Sequence, residues 1–132
     1  MLAMAKTLEE QNGNKVKCYA QDPANNGVGD KFLESIGINP LRDPKGFLEV
    51  DAETFISASP DQPIRQVIAD LEKPAVILWK SVEKEPQDES YGTDPVSSRV
   101  LDMVKEYEQL LLDYVDNMFG KPAWYVRKDM NT

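Results

Sequence analysis

A six-residue apolar run, "PAVILW" at residues 74–79, constrains the fold of this chain more than any other feature. A run this short that is apolar throughout is typical of a strand buried on both faces of a sheet. The preceding segment has apolar residues at i, i+3, i+4 and i+7, which predicts a helix packed on that sheet: Ile64, Val67, Ile68 and Leu71. A strand-like stretch, "TFISAS" at 54–59, comes before this helix. We therefore expect Ile56, Ile68, Ile77 and Leu78 in the core.

The predicted elements follow the order α-β-α-(β)-β-α-β-α-β along the chain. The predicted helices cover residues 2–11, 30–36, 61–72 and 97–119, and the predicted strands cover 15–20, 54–59, 74–79 and 123–128. Strands that alternate with helices predict an α/β fold, Rossmann-like and three-layered, with flanking helices and a mostly parallel sheet of four to five strands. A doubly wound domain normally opens with a strand and a turn, whereas this chain opens with a helix. We therefore expect the first strand to be missing.

The longest predicted helix, residues 97–119, carries a continuous apolar stripe. Its members recur at helical spacing: Val100, Val104, Tyr107, Leu111, Tyr114 and Met118. Leu110, Leu112 and Val115 lie off this stripe, so the helix has more apolar surface than one covering face needs. We expect these three residues to form an interaction surface, with a protein partner or a second copy of this chain.

The composition excludes several classes of function. A length of 132 residues predicts one domain, with residues 83–95 as a mobile surface loop and 129–132 as a frayed tail. The net charge of -8 disfavours binding to nucleic acid or to an anionic membrane surface. The chain has no histidine and one cysteine, Cys18, so we expect no metal site and no cofactor. A reduced, cytoplasmic location fits this cysteine usage best.

Candidate ligand-binding residues follow the predicted strands, because ligands of open parallel sheets bind beyond the carboxyl ends of the strands. These residues are Asp22, Ser57, Ser59 and Asp61. Two alternatives compete with a binding role. Asp22 also suits an Asp-Pro turn, and Asp61 suits the N-cap of the following helix, where its carboxylate would repel a second anion. Cys18 lies mid-strand without a histidine to activate it, so we expect a small buried hydrophobe and no catalytic role.

Three parts of the chain together resemble a known family. They are "VKCYAQDP" at 16–23, the stretch from "DPKGFLEV" to "AVILW" at 43–79, and "DPVSSRVLDMVKEYE" with "WYVRK" at 94–108 and 124–128. In this order they resemble the sensitivity-to-red-light-reduced (SRR-like) family, chiefly its fungal branch. The resemblance implies an α/β domain of a regulatory protein in the cytoplasm and nucleus. It also implies links to light or circadian signalling in plants and to microtubule and stress phenotypes in fungi.

The chain departs from the family pattern in three places. The upstream strand with a glycine-bearing turn is absent, Ala58-Ser59 stands where plant and animal members tend to have His-Cys, and Gln62 replaces an apolar residue. No G-x-G-x-x-G motif occurs in the chain. The leading hypothesis is a non-enzymatic SRR-like regulatory domain that acts through protein contacts. The alternative is a Rossmann-like enzyme, related to methyltransferases, that binds a small molecule or a nucleotide.

Overall fold

The structure is a computed structural model that describes residues 2–22, 27–57, 64–80, 97–111 and 122–130. The chain divides into two compact units, Met1–Glu49 and Val50–Thr132. Each unit has its own sheet, and we describe each one separately. In the described part of the chain, no helix is long and apolar enough to span a membrane.

The first unit is a small α/β unit built on two parallel strands. Its elements are α1 (Leu2–Asn12), β1 (Cys18–Ala20), α2 (Gly27–Ser35), β2 (Ile38–Pro40) and α3 (Lys45–Leu48). Strand β1 pairs with β2 in a register that places Cys18 beside Ile38. The core of the unit consists of Ala5, Cys18 and Ile38, with Val16, Ala20 and Leu33 packed against it.

The sequence predicted α1 and β1 and missed the strand that pairs with β1. Helix α1 ends where expected, at Gly13, whose positive φ of 71° favours glycine. The stretch "INPLRDPKG" was expected to be a loop, yet its first residues form β2. The optional strand of the predicted order, written (β), falls on "FLEV" at 47–50, yet Phe47 and Leu48 close the short helix α3. Three-residue strands are too short for apolar periodicity to reveal them.

The second unit contains a four-stranded sheet and two helices. Its elements are β3 (Phe55–Ser57), α4 (Ile64–Ala69), β4 (Val76–Lys80), α5 (Ser98–Val104), β5 (Tyr107–Leu111), β6 (Pro122–Arg127) and a 3-10 turn (Lys128–Met130). The strand order is β3-β4-β6-β5. Strand β3 runs parallel to β4, whereas β6 runs antiparallel to both of its neighbours, β4 and β5.

The prediction of a Rossmann-like, mostly parallel sheet is wrong. The described residues form a two-stranded parallel sheet in one unit and a four-stranded mixed sheet in the other, and among these four strands only β3 and β4 are parallel neighbours. Parallel neighbours need a crossover, usually a helix, and the predicted helix 97–119 was to supply the last one. The structure instead has a strand at Tyr107–Leu111 within this range, so β5 and β6 meet as antiparallel neighbours.

The predicted helix 97–119 is confirmed at Ser98–Val104 and wrong at Tyr107–Leu111, while residues 112–119 lie outside the described residues. Ser97 caps α5, since its hydroxyl accepts a hydrogen bond from the Val100 N–H at 3.4 Å. The helix ends at Val104, and β5 begins three residues later at Tyr107. Within β5, Tyr107 and Leu111 satisfy both a helical spacing of four and the two-residue alternation of a strand. Pairing with β6 decides between them, because context outweighs local propensity in short segments.

The core of the second unit is built around the two central strands. Ile68, Ile77, Val100 and Tyr125 are almost fully buried, and Tyr125 contacts the Trp79 ring with a centroid distance of 6.3 Å. The prediction that Ile68 and Ile77 are buried is confirmed, while Ile56 and Leu78 are only half-buried. On the opposite face of the sheet, Phe55 stacks on Trp124 at 5.6 Å.

Candidate functional site

The carboxyl ends of β1 and β2, where a ligand was expected, are held by one polar side chain. Gln21 follows β1 and donates a hydrogen bond from Nε2 to the Asp43 carboxylate at 3.2 Å. Its Oε1 accepts a hydrogen bond from the Gly46 N–H at 2.6 Å. A Cβ at position 46 would lie 2.5 Å from this oxygen, so the contact requires glycine there. Gln21 therefore fixes the loop after β2 to the end of β1.

The structure separates the predicted ligand-binding residues. Asp22 is exposed directly after this Gln21 corner, in the first unit. Ser57 is exposed at the end of β3, in the second unit. Ser59 and Asp61 lie outside the described residues. Within either unit, the described residues therefore bring no two members of the predicted set together.

A groove of about 740 Å³ lies in the second unit, at the end of the four-stranded sheet where β3, β4 and β5 begin and β6 ends. No sequence pattern predicts this groove, because its lining residues come from four separate turns. Its charged lining residues are Lys73, Lys105, Arg127, Lys128, Glu72, Glu106 and Asp129. Cations and anions are interleaved, so the groove has no strong preference for a ligand of one charge.

Arg127 closes this groove from the inside and binds the protein itself. Its Nη1 donates hydrogen bonds to the carbonyl oxygens of Ala52 at 3.0 Å and Lys73 at 2.6 Å, and its Nε donates to the Asp129 carboxylate at 2.6 Å. Its side chain is 15% exposed. The hydrogen bond to Asp129 raises the pKa of the Arg127 guanidinium. This arginine therefore joins the turns before β3 and β4 to the end of β6.

The lysines of the groove are also engaged within the protein. Lys73 forms an ion pair with Glu106, and the Lys128 ammonium donates to the Lys105 carbonyl at 2.8 Å. The Lys105 ammonium itself is paired with Asp102 at 3.0 Å. A ligand would have to displace these partners. The groove is therefore better explained as a structural corner than as a binding site.

Tyr107 fixes the start of β5 beneath the groove. Its hydroxyl donates a 2.6 Å hydrogen bond to the carbonyl of the buried Pro74. Burial raises the pKa of Tyr107 to about 12, and the nearby Arg127 charge opposes this shift. The phenol, which is neutral at physiological pH even without this shift, acts as a buried hydrogen-bond donor.

Beyond Tyr107, β5 is an exposed edge strand. Among the described strands, β5 pairs with β6 alone. Leu110 is 57% exposed and Leu111 is 60% exposed. Glu108 and Gln109, which precede them in the strand, are also exposed. The exposure of Leu110 is consistent with the predicted interaction surface, although Leu110 lies on a strand and not on a helix. Leu112 and Val115, the other predicted contact residues, lie outside the described part.

The sequence reasoning missed Gln109 and Leu111 as surface residues. Leu111 was assigned to the covered stripe of a helix, and Gln109 was given no role. No apolar–polar alternation marks this strand, because "YEQLL" places two polar residues side by side and then two leucines.

Two further features concern a reactive thiol and metal binding. Cys18 is buried in the core of the first unit beside Ala5 and Ile38, as the sequence predicted. Across the described ranges, no three Cys, Asp or Glu side chains converge in a way that could hold a metal ion.

Comparison with known proteins identifies a family across nearly the whole chain. The family model described as the SRR1 domain matches residues 1–126, which span both units. Comparisons with curated proteins and with solved structures find no match.

Proposed function

Because the chain belongs to the SRR1 domain family, we propose that it is a non-enzymatic regulatory domain that acts through protein contacts. The observation that carries this proposal is the exposed edge of β5. Leu110 and Leu111 are each more than half exposed, and they project from opposite faces of one strand. A partner strand laid along this edge would cover both.

The β5 edge has the properties of a contact site. Natural sheets protect their edges with short strands, lysine or proline. Strand β3, at the other end of the sheet, is only three residues long. Strand β5 has five residues, "YEQLL", with neither lysine nor proline. Apart from the charge of Glu108, this edge lacks such protection, and an unprotected edge is a template for pairing with another chain.

The alternative of a methyltransferase-like enzyme loses its basis in the fold. It required a mostly parallel sheet with a ligand site beyond the strand ends. The four-stranded sheet is mixed, and the Gln21 corner fills the end of β1 with hydrogen bonds inside the protein.

The proposal extends to location and process. We place the protein in the cytoplasm and also in the nucleus, in signalling, circadian or cytoskeletal and stress responses. The resemblance of residues 16–23 and 43–79 to the fungal SRR-like branch supports the cytoskeletal and stress role. The net charge of -8 supports protein partners over nucleic acid or membranes.

The test is the native size of the full chain in cells. A tagged chain expressed in a fungal cell should migrate in a complex larger than its own 14.9 kDa. Leu110→Glu should release it, because a charge at the edge opposes strand pairing. The matched control is Val28→Glu, which places the same charge at an 80% exposed apolar site on α2 and should leave the complex intact. A wild-type chain of monomer size would refute the proposal.

A further inference from the structure

This inference rests on the proposed function and names its partner: we infer that β5 pairs antiparallel with β5 of a second copy of this chain, about a two-fold axis at Gln109. The dimer would join two four-stranded sheets into one continuous sheet. Three features of the described residues lead to this arrangement: the direction of the backbone groups of β5, the registers that this direction allows, and the side chains that each register brings together.

The backbone of β5 presents alternate residues to its open edge. The Lys128 N–H donates to the Glu106 carbonyl at 2.9 Å, whereas the Arg127 N–H donates to the Ala75 carbonyl at 3.0 Å. Even-numbered residues of β6 are thus directed to β5, and odd-numbered ones to β4. With Glu106 bonded to β6, Glu108 and Leu110 are directed to β6 as well, since hydrogen bonding alternates along an antiparallel strand. The N–H and C=O groups of Gln109 and Leu111 therefore point outward.

The outward groups restrict the register of a second copy. Hydrogen-bonded pairs must join outward-pointing residues of both strands, which permits a two-fold axis at position 108, 109 or 110. An axis at Gln109 uses the whole strand, because it places Gln109 opposite its own copy and Tyr107 opposite Leu111. Each such pair exchanges two N–H···O bonds. Axes at 108 and at 110 leave part of the strand unpaired.

The side chains exclude the axis at 108 and are compatible with the axis at Gln109, which full use of the strand favours over an axis at 110. With the axis at Gln109, Glu108 faces Leu110 of the second copy, and the two Gln109 amides can hydrogen-bond to each other. Leu111 then lies opposite Tyr107 of the second copy, whose ring is already buried in its own chain, so the gain on this side comes from covering the exposed Leu111. An axis at position 108 would place the two Glu108 carboxylates directly opposite, which is destabilising. The strand is therefore its own complement at Gln109.

Sedimentation equilibrium of the purified full chain tests the dimer. We expect a mass twice the 14.9 kDa of one chain, with association strengthened by salt because each copy carries a net charge of -8. Gln109→Pro should weaken association by about tenfold or more, because it removes one edge donor from each copy. The outward Gln109 N–H makes no bond to β6, so the fold should persist by circular dichroism. Val28→Glu should leave association unchanged.

Disulfide cross-linking tests the register. Gln109→Cys should form a disulfide-linked dimer on mild oxidation, since directly opposed residues have a Cα separation that a disulfide can bridge. Leu110→Cys should cross-link far less, because its copies are offset along the strands and lie about 7–8 Å apart. The native Cys18 is buried, so the wild-type chain provides the background. Stronger cross-linking at position 110 than at 109 would refute the two-fold axis.

The outcomes separate this inference from the proposed function. A purified chain that stays monomeric at high concentration refutes the second copy as partner. If the wild-type chain nevertheless forms a larger complex in cells and Leu110→Glu dissociates the chain from it, the proposed function stands, with a different protein bound at the same edge. If the chain is monomeric both in cells and when purified, both proposals fail.

Discussion

Replacing Tyr107 by phenylalanine removes only the hydroxyl group and so tests the position of β5. The Tyr107 hydroxyl is the buried donor to the Pro74 carbonyl, and its removal leaves that carbonyl buried without this partner. Such a loss costs about 1–3 kcal/mol in the free energy of unfolding. Both tryptophans of the chain, Trp79 and Trp124, lie in the second unit, so urea unfolding followed by tryptophan fluorescence reports on that unit.

The control is Tyr19→Phe in the first unit. The Tyr19 hydroxyl makes no hydrogen bond to the described residues. This replacement should change the fluorescence-detected unfolding free energy by less than about 0.5 kcal/mol. A Tyr107→Phe variant as stable as the wild type would refute the buried hydrogen bond, and with it the placement of β5 beside Pro74.

The same variant carries a pH signature. Burial raises the pKa of Tyr107 from 10.0 to about 12, so the folded state holds the phenolic proton more tightly than the unfolded state. The stability from this proton is complete below pH 10 and is lost as the pH rises from 10 to 12. The difference in stability between wild type and Tyr107→Phe should therefore narrow across that range. A constant difference would contradict the burial of the phenol.

Three further predictions concern the core, the groove and the abandoned ligand site. Ile77→Ala should cost about 2–5 kcal/mol in the same urea assay, because Ile77 is fully buried, whereas Val67→Ala at a 37% exposed site should cost less than about 1 kcal/mol. Arg127→Gln should cost about 1–3 kcal/mol, since two backbone carbonyls lose a charged donor, and an unchanged unfolding curve would contradict the structural role of this arginine. Calorimetric titration with S-adenosylmethionine should give no saturable heat; binding that Asp22→Asn abolishes in a folded chain would favour the enzyme hypothesis.

The sequence predicted best the elements whose structure depends on local pattern. Residues 74–79 are apolar throughout, and only a buried strand accommodates such a short run, so β4 was predicted to within two residues. Helix α1 was predicted at 2–11, because Leu2, Ala5 and Leu8 lie on one helical face and Asn12-Gly13 is a typical helix end; Gly13 has the positive φ that this end needs. In these cases neighbouring residues determine the conformation.

The sequence failed where a distant strand decides the conformation. Residues 105–111 continue an apolar helical stripe, and nothing within them indicates that Tyr107 bonds to Pro74, 33 residues away in the chain. Because of this wrong helix, the sheet was predicted to be mostly parallel, whereas it is mixed. The expected ligand site depended on the same prediction. It also concealed the β5 edge, since Gln109 and Leu111 share an outward direction only in a strand.

Amide hydrogen exchange of residues 107–111, measured by NMR at several protein concentrations, tests the central claim most directly. In dilute solution we predict slow exchange at Glu108 and Leu110, whose amides bond to β6, and fast exchange at Gln109 and Leu111, which face the open edge. At high concentration the Gln109 and Leu111 amides should become protected as the second copy pairs. Equal protection of all four amides at every concentration would indicate a helix, and would contradict both the edge strand and the interaction surface built on it.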